Sequence, residues 1–160
     1  MEKGYLMSIT DAGVIFESVI PNQAINVRPS DKDLRDLFSE AVPKWHCDLS
    51  LSYRDVNSQA STKLVISPCI SSGFLIRFCL ERGGAVIDYF SLNESKHLNR
   101  YVLFDNGEYT ISGLLVSADQ ALVAATDFMS TRGEMSEKIG WITEDDIPAG
   151  MHWLVSEDVL

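Results

Sequence analysis

The segment "GFLIRFCLERGGAVIDYFSL", residues 73–92, puts the tightest limit on what this chain can fold into. Two runs rich in β-branched and aromatic residues flank Arg82, Gly83 and Gly84, and the paired glycines accept the positive φ angles that a tight hairpin turn demands. Phe74, Ile76, Phe78 and Leu80 occupy alternate positions, so they share one face of the first strand. A second hairpin is written in "RYVLFDNGEYTISG", where Asp105, Asn106 and Gly107 separate two β-rich runs. Upstream, Leu49, Leu51 and Tyr53 alternate with polar neighbours as a half-buried strand requires. The middle of the chain therefore reads as an antiparallel sheet. Tyr5 to Ile20 is expected to add one or two strands, and the polar "NESKHLN" to be a connecting loop.

Helix signals bracket this sheet. Ser30 is an N-cap candidate, Asp31 and Asp33 suit the positive end of a helix, and Pro43 follows its stop. Leu34, Leu37, Phe38, Ala41 and Val42 recur at helical spacing. In the second stretch, Ser117 and Gln120 have the spacing of a capping box. Ala118, Ala121, Leu122, Ala125, Phe128 and Met129 form an apolar stripe, and Asp119, Thr126 and Asp127 look outward. Arg132 suits the helix C-terminus, and Gly133 is expected to take the left-handed conformation that stops it. Ile139 and Trp141 then alternate across Gly140 as an extended segment, and the tail around Trp153 is read as an edge strand or a docked turn. The expected architecture is α+β: a mainly antiparallel sheet of about five or six strands packed against helices near 31–42 and 118–131. At 160 residues, with 46% of them apolar, one domain spanning 1–160 is expected.

Charge is distributed unevenly. Residues 1–104 hold 12 acidic and 11 basic side chains, whereas residues 105–160 hold 11 acidic and 2 basic, a balance of −9. Such a surface repels phosphate backbones, which argues against direct nucleic-acid binding and favours a basic protein partner. No apolar run reaches signal-peptide or membrane-span length, so a cytoplasmic protein without membrane association is expected. Cys47, Cys69 and Cys79 lack metal-knuckle spacing and are expected to be buried thiols rather than a disulfide framework.

Signals for chemistry are sparse. His46, His97 and His152 stand apart in sequence, and no nucleophile elbow, phosphate-binding loop or dinucleotide fingerprint occurs. Glu144, Asp145 and Asp146 are consecutive, so they point in different directions rather than facing one another across a cleft as general acid and base. They offer acceptors for Arg and Lys on a partner. No cofactor, metal or catalytic residue is assigned. Tyr89, Tyr101, Tyr109, Trp141 and Trp153 lie in or beside the acidic part, a composition common in binding hot spots, although Phe128 and Trp141 are expected in the core.

The stretch "LVSADQALVAATDFMSTRGEMSEKIGW" resembles the C-terminal signature of the Imm-type immunity proteins that accompany bacterial polymorphic toxins, including toxins with nucleic-acid deaminase domains. The likeness covers roughly residues 85–141 and is carried by Val116, Ser117, Ala121, Ala125, Phe128, Ile139 and Trp141. It implies a cytoplasmic, non-enzymatic inhibitor that binds the basic catalytic domain of a cognate toxin. The recognition surface is then expected on Asp105, Glu108 and Tyr109 of the second hairpin together with Glu144, Asp145 and Asp146. Two rivals fit the same composition: an acidic type III secretion chaperone, and a small Cys/His-dependent hydrolase or transferase using Cys47, His46 or another triad assembled from distant positions.

Overall fold

The computed structural model describes residues 13–22, 28–39, 44–69, 73–93, 98–105 and 107–160, and the backbone of 6–9. Its elements are strands β1 (Leu6–Ile9) and β2 (Val14–Val19), helix α1 (Asp31–Leu37), strands β3 (Leu49–Asp55), β4 (Ser61–Pro68), β5 (Phe74–Arg82), β6 (Ala85–Leu92), β7 (Tyr101–Asp105), β8 (Glu108–Ile111) and β9 (Leu115–Val116), helix α2 (Ala118–Ser130), and strands β10 (Gly140–Thr143) and β11 (Leu154–Ser156). The class is α+β. Eight strands form one antiparallel sheet in the order β1-β2-β3-β4-β5-β6-β10, with β9 also paired to β5, and β11-β8-β7 form a separate three-stranded sheet.

The hairpins fall where the glycines put them. Gly83 and Gly84 both have positive φ, 58° and 81°, between the paired ends Arg82 and Ala85, as the favoured two-residue turn demands. Asp105 pairs with Glu108 across the second turn. The sheet is larger than the about five or six strands expected. The N-terminal segment contributes two strands, as expected, and β4, which was not anticipated, inserts between β3 and β5. Its turn is closed locally: the Asp55 carboxylate accepts from the amides of Asn57 and Ser58, the usual way an aspartate reverses a chain.

One face of the large sheet is covered by the helices. Phe16, Leu49, Leu51, Tyr53, Leu64, Ile66, Phe74, Ile76 and Phe78 meet Leu34 and Phe38 of the α1 region and Ala121, Ala124, Ala125, Phe128 and Met129 of α2. Fully burying a side chain such as Phe128 contributes about 1.5–3 kcal/mol. The α2 capping box is present, with Ser117 Oγ accepting from the Gln120 amide at 3.2 Å and Gln120 Oε1 from the Ser117 amide at 3.1 Å. Ala118 and Leu122 are only partly buried, and Ala124 completes the stripe instead. Trp141 packs half-buried against this core and donates its indole N–H to the Ser136 carbonyl.

One helix end departs from expectation, and the other adds a residue to it. Helix α1 stops at Leu37 instead of running to 42, because the Ser39 amide and hydroxyl both donate to the Asp36 carbonyl and turn the chain; residues 40–43 lie outside those described. At the end of α2 Gly133 has the expected positive φ, 103°, and Arg132, with φ 57°, already takes a left-handed position before it. Gly133 is the next residue, and its amide donates to the Phe128 carbonyl at 2.8 Å. Its glycine identity answers a second demand: a Cβ there would collide with Thr62 Oγ1 and crowd the Tyr53 ring.

Ser91 explains how the large sheet changes partners. Strand β5 pairs with β6 from Arg77 to Arg82 and with β9 at Phe74 and Leu75. At the junction, the buried Ser91 hydroxyl accepts from the Ile76 amide at 3.0 Å and donates to the Leu114 carbonyl at 2.6 Å. One side chain thereby satisfies two buried backbone groups. Beyond this point the second face of the sheet is covered by the small sheet and the turns beside it, so that Leu75, Phe90, Leu115 and Ile142 cluster with Ile111, Leu114 and Ile147. The tail is both an edge strand and a docked segment: β11 pairs with β8, and Trp153 lies 5.2 Å, centroid to centroid, from Phe90. Among the described residues, no helix is long and apolar enough to cross a membrane.

Candidate functional site: the open sheet face

Because side chains alternate along a strand, the residues between the core positions all emerge on the opposite face. Glu17 and Val19 of β2, Ser50 and Ser52 of β3, Lys63 and Val65 of β4 and Arg77 of β5 thus share a surface that neither helix covers. With Cys47 and Asp48 they line a shallow cavity of about 310 Å³. A second cavity of about 220 Å³ shares Asp48, Val65 and Arg77 with the first and continues toward the small sheet. Its remaining lining includes Leu75, Phe104, Trp153, Asp105 and Glu108. The two form one groove, open along the sheet and walled at one end by the β7–β8 hairpin and the tail.

The wall is held by specific contacts. Thr110 Oγ1 donates to the Trp153 carbonyl at 2.6 Å, the His152 amide donates to Tyr101 Oη at 2.9 Å, and the Glu157 amide donates to the Gly107 carbonyl at 2.7 Å. Trp153 is thereby fixed above the groove, and the Arg77 guanidinium lies 5.2 Å from its ring centre, within the range of a cation–π contact. The second cavity is lined by three carboxylates, Asp48, Asp105 and Glu108, against the single guanidinium of Arg77. That composition suits the reception of a cationic or hydrogen-bond-donating group beside an aromatic wall.

The residues expected to form the recognition surface do not all line this groove. Asp105 and Glu108 stand together at the mouth of the second cavity. Tyr109, next along β8, is half-buried and lines neither cavity. Glu144, Asp145 and Asp146 form an exposed 3-10 turn directly after β10 and also line neither. Asp146 accepts from Thr143 Oγ1 at 3.0 Å. Sequence reasoning did not find Asp48, Lys63 or Arg77. Their signal was present in the strand alternation: once Ile76 and Phe78 point inward, Arg77 points to the other face.

The thiols differ from expectation. Cys69 is buried, but Cys47 and Cys79 are partly exposed, because Cys47 precedes β3 at the groove and Cys79 lies on the open face between the inward-facing Phe78 and Leu80. Burial pushes the Cys79 thiol above its ordinary range, and its hydrogen bond to the Asp88 carboxylate pushes it further. Cys47 lines the groove whereas His46 is exposed, with its Nδ1 accepting from the Asn22 amide at 2.8 Å. His97 lies outside the described residues. Among those described, no group of three or more His, Cys, Asp or Glu side chains is arranged to hold a metal ion. No protein-family profile, curated protein or solved structure matches the chain.

Proposed function

We propose that this protein is an immunity-type inhibitor that acts by binding rather than by chemistry: in the bacterial cytoplasm it covers the basic catalytic cleft of a cognate toxin, one that acts on nucleic acid. The observation that carries this reading is the groove in which Asp105 and Glu108 join Asp48 beneath Trp153. An arginine or lysine from a toxin's substrate cleft entering there meets carboxylates on two sides and an indole wall, a combination that gives both orientation and affinity. The surplus of −9 over residues 105–160 adds long-range attraction for a basic domain and speeds encounter. The resemblance of residues 85–141 to Imm-type proteins supports the same role.

The test is to express the chain with the toxin domain encoded beside its gene, and to measure protection of the host and affinity. Replacing Asp105 with Asn and Glu108 with Gln should cost about 2–5 kcal/mol of binding if a desolvated ion pair is lost, which is roughly 30-fold to several-thousandfold. Neutralising Glu144, Asp145 and Asp146 should mainly slow association and reduce its dependence on salt. Full protection with unchanged affinity in both variants would remove the groove and the acidic turn from the interface.

A further inference from the structure

The outer edge of β6 is only half used. Strand β10 pairs with it from Leu92 to Tyr89 and then leaves the sheet at Thr143, so no described strand pairs with Ala85–Asp88 on that side. The two-residue turn makes Arg82 and Ala85 a hydrogen-bonded pair, and pairing then alternates along the hairpin. It follows that the N–H and C=O groups of Val86 and Asp88 point away from β5, along the open edge. The side chains there are apolar and uncovered, with Val86 57% and Ile87 44% exposed. Sheet edges of this kind are ordinarily protected, because they template pairing with another chain.

We infer that this edge is a docking site for an extended segment of a partner protein, added antiparallel to β6 as a collinear continuation of β10. Local charge identifies the occupant. The site begins where β10 ends, beside Asp88 and the exposed Glu144, Asp145 and Asp146. Arg82 stands at the far end, at the hairpin tip. The incoming strand therefore carries Lys or Arg at its N-terminal end, next to the carboxylates, followed by small β-branched residues that cover Val86 on one face and Ile87 on the other. A second copy of this chain is a poor occupant, since each molecule carries a net charge of −10 and lacks the basic character the edge calls for. Backbone pairing supplies most of the affinity, and the charges fix direction. This inference does not rest on the toxin reading: it concerns a different edge of the sheet and asks only for an extended basic segment.

The experiment uses the full chain and a capped eight-residue peptide with two lysines followed by alternating valine and threonine. Titration should give saturable binding in the micromolar to low-millimolar range, with slowed amide exchange at Val86 and Asp88. The same peptide with its lysines moved to the C-terminal end should bind at least several-fold more weakly. Val86→Pro removes an edge donor that the internal ladder does not use, so the fold should persist while binding falls at least tenfold. Replacing Glu144, Asp145 and Asp146 with their amides should weaken the preference for N-terminal lysines, leaving only what Asp88 and Arg82 supply. Absence of binding at millimolar peptide, or exchange protection confined to residues other than 85–89, would overturn the proposal. Undiminished binding by a folded Val86→Pro variant would overturn it equally, and if that variant does not fold, the exchange measurement on the unaltered chain decides.

Discussion

The Arg77 guanidinium lies 5.2 Å from the centre of the Trp153 ring, joining the middle of the large sheet to the C-terminal tail across more than seventy residues of chain. Trp153 also packs on Phe90, so its truncation removes apolar contact as well as the cation–π interaction. Trp153→Ala should therefore destabilise the fold by about 2–4 kcal/mol, somewhat below the range for a fully buried tryptophan because the ring is only half-buried. Arg77→Met keeps most of the side-chain volume and should cost less. A double-mutant cycle in urea should return a coupling of about 0.5–1 kcal/mol between the two; zero coupling would mean that the ring and the guanidinium are neighbours without interaction.

Ser91 offers a sharper test of the sheet junction. Its hydroxyl is the partner of the Ile76 amide and of the Leu114 carbonyl, and the residue is 0% exposed. Ser91→Ala leaves both backbone groups buried without that partner, which should cost about 1–3 kcal/mol for each group that water does not reach. Ser91→Cys, similar in shape but a weaker hydrogen-bonding group, should fall between. Chemical denaturation would show it, and amide exchange at Ile76 should accelerate in the alanine variant.

Much of this architecture was legible in the chain before any coordinates. The glycine pair 83–84 and the Ser117–Gln120 box are local signals, decided by backbone sterics and by hydrogen bonds three residues apart, and both are realised. What stayed hidden is non-local. Strand β4 takes its place only by pairing with β3 and β5 on either side, although the aspartate turn that precedes it, closed by Asp55 on Asn57 and Ser58, is itself local. The junction at Ser91 depends on a contact with Leu114, in the turn just before β9, and Ser91 reads in sequence as one more polar residue in a β run. The groove was partly visible. Asp105 and Glu108 announce an exposed turn, but Asp48 and Arg77 reach the same cavity only because strands far apart in sequence are brought into register.

Acid should loosen the segment after α2. The Asp127 carboxylate accepts from Ser136 Oγ at 2.7 Å and from Lys138 Nζ at 3.1 Å. The Ser136 hydrogen bond, helped by Lys138, holds this carboxyl below the ordinary aspartate range. A folded pKa below the unfolded one means that the stabilisation is fully present above the unfolded value, about 3.9, and is lost as pH falls through the folded value. The stability of the unaltered protein should therefore hold above about pH 5 and decline below pH 4. Asp127→Asn keeps the shape and should remove this component, at a cost of about 1 kcal/mol near neutrality. Unfolding midpoints measured from pH 3 to pH 7 should converge for the two proteins at the acid end. Curves that stay parallel throughout would show that Asp127 ionisation contributes nothing.

The end of α2 gives a pair of substitutions with opposite signs. Arg132 occupies the left-handed region with φ 57°, a conformation that is unfavourable for a residue bearing a Cβ. Its amide and that of Gly133 close the helix on the carbonyls of Met129 and Phe128, at 3.4 Å and 2.8 Å, so the conformation is imposed by the cap. Arg132→Gly should relieve the strain and stabilise by about 0.5–1 kcal/mol after the greater chain entropy of glycine in the unfolded state is counted. Gly133→Ala should do the reverse. It places a Cβ against Thr62 Oγ1 and Tyr53, at φ 103°, where no rotation of the new methyl relieves the clash. The loss should exceed about 2 kcal/mol, and trimming Thr62 to Ala should restore part of it by emptying the space the methyl needs. Thermal and urea unfolding of the three variants would decide the matter. If Gly133→Ala is neutral while Arg132→Gly is destabilising, the strain at Arg132 is not what limits this cap, and the close approach of α2 to β3 and β4 is looser than these contacts imply.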